Sequence, residues 1–130
     1  MTRINCVDVR LLSGKHLVAE YRELPRIFGL VLKAQKRGLT AEHYRQPVTE
    51  YVLGPGHCRF FYTRLNFLGG RYTRLVMEMR SRGYTVSHPH LPLWVSEIRT
   101  EWFGDWTPTQ EAIALNTQRI NERGGLRPAT

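Results

Sequence analysis

Residues 15–37 read KHLVAEYRELPRIFGLVLKAQKR. Leu17, Tyr21, Leu24, Phe28, Val31 and Leu32 recur at spacings of three and four, which places them on one stripe of an α-helix. Gly38 is a natural stop. Pro25 lies inside the run. It has no amide hydrogen, so the carbonyl of Tyr21 loses its helical partner and the helix should bend there.

The same period returns twice. From about Cys58 to Arg82, a stripe runs through Phe61, Leu65, Leu68, Tyr72, Leu75, Val76 and Met79, with Gly83 as its stop. Gly69-Gly70 in its middle weakens the helix by ~2 kcal/mol relative to Ala-Ala. The preceding Gly54-Pro55-Gly56-His57 reads as a tight turn. A third helix is expected to start at Thr107, with Thr107 as N-cap, Pro108 as first helical residue and Gln110 as the capping-box partner. It continues through Ile113, Leu115 and Ile120 to Gly124. Between the second and third helices, Tyr84 to Trp106 lacks a clean period and holds Trp94, Trp102 and Trp106. This stretch reads as an ordered, mostly irregular connection covering the helices. The expected fold is mainly α: a compact single domain over residues 1–130, of about three helices with irregular connections.

Length and composition limit the function classes. A chain of 130 residues can bury a modest core, and a hydrophobic content of 42% argues against disorder. Nineteen Lys and Arg against eleven Asp and Glu leave a net charge of +8. Most of the cations are arginine, the residue suited to forked contacts with phosphate. The charge points to a polyanionic partner, most simply nucleic acid. No run approaches the ~20 apolar residues of a membrane span. No secretory signal pattern opens the chain, so the expected location is the cytoplasm, or the nucleoid of a bacterial cell. Cys6 and Cys58 lack metal-ligand spacing and are expected to be reduced thiols. His16, His43, His57, His88 and His90 form no recognisable zinc motif.

Two features carry chemistry. The chain opens Met1-Thr2-Arg3-Ile4-Asn5. Initiator methionine is ordinarily trimmed before a residue as small as threonine, which would leave Thr2 with a free α-amine. That amine titrates near ~7.7–8.0, so part of it is neutral and nucleophilic at physiological pH. Arg22, Glu23 and Arg26 lie together in the first helix. The two arginines are one turn apart, and Glu23 is rotated by about 100° from Arg22. Taken alone, this cluster reads as an ordinary surface ion-pair group.

The stretch His16 to Gly29 (HLVAEYRELPRIFG) resembles the phage endonuclease V family of pyrimidine-dimer DNA glycosylases. So do Thr2-Arg3-Ile4-Asn5, Val52-Leu53-Gly54-Pro55-Gly56-His57, the Phe60-Phe61-Tyr62 that follows, Gly104-Asp105-Trp106-Thr107-Pro108 and Arg127-Pro128. The resemblance runs in order along nearly the whole chain. It implies a DNA repair glycosylase with abasic-site lyase activity, acting at UV-induced cyclobutane pyrimidine dimers. In that reading the Thr2 α-amine attacks C1′ of the damaged nucleotide and forms a Schiff base. Glu23 is the catalytic carboxylate. Arg22 and Arg26 hold phosphates beside the lesion, and Arg3, His16, Arg119 and Arg123 match further DNA-contacting positions. The resemblance implies damaged double-stranded DNA as partner, a monomer with no membrane association, and neither metal nor cofactor. After Arg127-Pro128 the family pattern continues with an aromatic and basic stretch resembling Trp-Tyr-Lys-Tyr-Tyr, where this sequence reads Ala129-Thr130. Two alternatives stay open on sequence: a glycosylase/lyase for another damaged or modified base, and a non-catalytic DNA-binding module.

Overall fold

The computed structural model describes residues 2–45 and 49–127. Six α-helices form among them: α1 Gly14–Glu23, α2 Pro25–Lys36, α3 Ala41–Arg45, α4 His57–Phe61, α5 Leu65–Ser81 and α6 Gln110–Glu122. Short 3-10 turns occupy Val9–Leu11, Leu93–Glu97 and Thr100–Trp102. Among the described residues no strand forms; a single antiparallel bridge pairs Leu12 with Leu126. The mainly helical expectation holds.

The predicted bend is a division between two helices. Leu24 keeps helical dihedrals and donates to Glu20 O, then Pro25 opens α2 at a position where an amide hydrogen would be unused. The second predicted helix also divides. Its first turn is α4, and Tyr62 to Arg64 separate it from α5. The third helix starts two residues later than expected. Thr109, not Thr107, is the N-cap: its hydroxyl accepts from the Ala112 amide at 3.1 Å. Gln110 is therefore the first helical residue and no capping-box partner.

Once assembled, the apolar stripes share one core. It takes Leu17 and Tyr21 from α1, Leu24 from the junction, Ile27, Phe28 and Val31 from α2, and Leu65, Leu68, Leu75 and Met79 from α5. α1 packs directly on α5. Trp102 is fully buried, and Trp94 and Trp106 pack against the core, so the irregular stretch does cover the helices. Trp106 lies against Phe60, Phe67 and Tyr51, the last stacked at 5.7 Å. Ile4, Ala112 and Ile120 join the same core, which brings the amino-terminal segment and α6 beside α1.

Polar groups fix that arrangement. The buried Arg71 of α5 grips the buried Glu20 of α1 with two bonds, Nε to Oε2 at 2.7 Å and Nη2 to Oε1 at 3.0 Å. Its Nη1 donates to the carbonyl of Val7. Asn5 donates to Glu20 Oε1 at 2.8 Å and accepts from Asn116 of α6 at 2.9 Å. Asn116 Oδ1 in turn accepts the amides of Cys6 and Val7. Each buried polar atom in this chain of bonds therefore has a partner, as burial demands.

Candidate nucleic-acid site

α1 and α6 each turn a polar face toward the other. His16, Ala19, Glu20 and Glu23 stand at i, i+3, i+4 and i+7 on α1, and so share a face. Asn116, Arg119, Ile120 and Arg123 repeat that spacing at the end of α6. The amino-terminal segment runs between them. Ile4 is buried in the core, while its neighbours Arg3 and Asn5 face the other way. The result is a cleft of about 160 Å³ lined by Arg3, Asn5, His16, Ala19, Glu20, Glu23, Arg119, Ile120 and Arg123.

Three arginines and two carboxylates line the cleft. Arg119 lies in the last turn of α6 and Arg123 caps it, where cations are favoured by the helix dipole. Burial lowers the pKa of Arg3, and the nearby charges of Arg119 and Arg123 lower it further. The guanidinium stays charged at any physiological pH, so three mutually repelling cations are held at one place. Arg3 Nη1 and Arg119 Nε are buried and find no acceptor among the described residues. Buried donors nearly always have a partner. A phosphate in the cleft would offset the repulsion among the three guanidinium groups.

The remaining site residues fall around this cleft. Glu23 ends α1 at its rim, half-buried. Arg22 and Arg26 do not line it; they stand exposed on the solvent side of the same helical run, one turn apart. Thr2 is half-buried, and its carbonyl accepts the thiol of Cys58 at 3.6 Å. That thiol's pKa is raised chiefly by burial; the Arg3 charge opposes the rise and Glu23 adds to it. Thr2 itself does not line the cleft; its neighbour Arg3 does. The His16 ring is fixed from behind by Gly125, where a Cβ would come within 2.6 Å of it. Ser13 Oγ lies 3.3 Å from His16 Nδ1. The sequence departure at Ala129-Thr130 lies outside the described residues.

A family model for pyrimidine dimer DNA glycosylases matches residues 1–92. The chain belongs to that family. It is an enzyme of the DNA glycosylase type, and its substrate is DNA at pyrimidine dimers. The reading as a binding module without activity is set aside. The match ends before α6, yet the glycosylase draws Arg119 and Arg123 of its cleft from that helix. Glu20 and Arg71 were not singled out from sequence as a pair. Their signal was present: each occupies an apolar stripe, Glu20 between Leu17 and Leu24, and Arg71 between Leu68 and Leu75. Among the described residues no three His, Cys, Asp or Glu side chains gather as a metal site, and no helix is long and apolar enough to cross a membrane.

Proposed function

We propose that this glycosylase excises its dimer through a covalent imine on the α-amine of Thr2, with Glu23 as the catalytic carboxylate and lyase activity following from the same intermediate. The amine lone pair attacks C1′ of a damaged nucleotide. The glycosylic bond breaks, and the departing base keeps the bonding electrons. The amine loses one proton as the C1′–O4′ bond opens and O4′ gains one, leaving an iminium, still bearing one N–H, between Thr2 and the sugar. Loss of a C2′ proton then lets the C3′–O bond break with the phosphate as leaving group. Water hydrolyses the imine and frees the enzyme. Glu23 stabilises the cationic sugar and iminium and relays protons at the sugar.

Arg3, Arg119 and Arg123 hold phosphate in the cleft, beside His16. Arg22 and Arg26 engage the backbone from the solvent side of α1 and α2. C1′ is shielded in a regular duplex, so binding must bend the DNA or extrude a base. The observation carrying this reading is the single cleft that joins Glu23 to three arginines, two of which have a buried donor without an acceptor.

The test is borohydride trapping on duplexes carrying one cyclobutane dimer or one abasic site. The expected result is an adduct on both, mapped to Thr2. An adduct on the abasic duplex alone would leave imine chemistry without a dimer substrate; an adduct mapped to a lysine would end the assignment of Thr2. Glu23→Gln should bind the dimer duplex yet lose strand cleavage by at least ~100-fold.

A further inference from the structure

The main chain two residues beyond Thr2 is clamped from both sides. The Ile4 amide donates to His57 Nε2 at 2.8 Å. The Ile4 carbonyl accepts the Tyr51 hydroxyl at 3.2 Å. His57 is 1% exposed. Its Nδ1 lies 2.8 Å from the carbonyl of Val52, which can only accept. Nδ1 therefore carries the proton, and Nε2 is left as the acceptor that Ile4 needs. The ring packs edge-on against Tyr51 and Phe61 at 5.5 Å from each. Gly56, with φ of 89°, turns the chain so that α4 starts at His57 under the arm. Cys58, the next residue of α4, holds Thr2 itself.

We propose that His57 and Tyr51 are positioning residues for the Thr2 amine: their bonds to both polar groups of Ile4 fix the reach of the amino-terminal arm into the cleft. The inference rests on the assignment of Thr2 as nucleophile. Neither side chain lines the cleft, so neither contacts DNA there. Attack at C1′ requires the amine within a fraction of an ångström of its productive place, and misplacement by about 1 Å can cost ~100-fold. Protonation of His57 would turn the acceptor into a donor facing the Ile4 amide, and the clamp would open. Burial lowers the pKa of the ring below its ordinary 6.5, the bond to Val52 opposes this, Arg3 lowers it and Glu20 raises it. Tyr51 and Cys58 are the other titratable groups beside it, and burial raises the pKa of each.

The experiment is single-turnover imine trapping on an abasic duplex at saturating DNA, with the dissociation constant measured separately. Three full-length variants are compared, each checked by circular dichroism. His57→Phe keeps the ring packing and removes the acceptor. Gln in His57→Gln can place an amide oxygen near Nε2. Tyr51→Phe removes only the hydroxyl. Trapping should slow by roughly 10- to 100-fold in His57→Phe and 3- to 10-fold in Tyr51→Phe, with unchanged affinity. His57→Gln should recover most of the rate.

The pH profile gives a second reading. In the wild type the trapping rate should fall with one proton near the titration of the amine, and with a second below 6.5. In His57→Gln only the first should remain. Unchanged rates in folded variants, or rate losses matched by losses of affinity, overturn the proposal while leaving Thr2 as nucleophile. Should His57→Phe not fold, Tyr51→Phe decides alone. A wild type that forms no adduct at any pH removes both.

Discussion

Arg3 and Arg119 combine charge with buried, unsatisfied donors, so each should count in two ways. Arg3→Ala and Arg119→Ala should weaken dimer-containing and undamaged duplexes alike. Each should also lower the slope of log affinity against log salt by roughly 0.9, the counterion released per phosphate contact. Fluorescence anisotropy over a salt titration reads both effects. Arg10 offers the contrast: it is exposed and already paired with Asp8 at 2.7 Å, so Arg10→Ala should leave the slope unchanged. Gly125→Ala should displace the His16 ring that its Cβ would meet, and lower activity more than stability. At this scale sequence was most informative where chemistry depends on residue type. Thr2, Arg3, Glu23 and Arg26 are legible as a motif. His57 read as part of a turn and of a family-like stretch but without a role of its own, because an acceptor for a main-chain amide 53 residues away has no local signature.

Helices were legible wherever a stripe of apolar residues had to be buried, and their ends less so. Thr107-Pro108-Thr109-Gln110 contains two candidate caps, and a Pro after the first makes Thr107 the obvious one. The later start follows from the Thr109 hydroxyl, which reaches the Ala112 amide. Thr109→Ala should cost about 1 kcal/mol in chemical denaturation, against less than ~0.5 for Thr107→Ala. Equal losses would contradict this assignment. α5 carries the opposite kind of site. A Cβ at Gly69 meets nothing within 4 Å, and its φ is not positive. Gly69→Ala should therefore stabilise by roughly 0.4–1 kcal/mol, chiefly by restricting the unfolded chain. The polar faces of α1 and α6 share the i, i+3, i+4, i+7 spacing of an apolar stripe. Their phases are written in the sequence, but that the two faces meet is a property of the tertiary packing alone.

Across the whole molecule, stability should depend on pH through His57. The folded ring resists a proton that the unfolded chain accepts at about 6.5. Its contribution is thus fully present above 6.5, and is lost as the pH falls through the lower value of the folded ring. Denaturation midpoints measured from neutral to mildly acidic pH should fall in the wild type more than in His57→Gln. The buried Glu20–Arg71 pair ties the same regions together, and removing one partner would leave an uncompensated charge, a loss of about 3–5 kcal/mol. The amino-terminal arm also depends on a helix made much later: the Cys6 amide is held by Asn116, 110 residues further along. Translation makes Cys6 long before Asn116, so this bond can close only once α6 has been made. Anchoring of the segment around Cys6 is therefore a late event in folding, coupled to completion of the last helix rather than to the first ones.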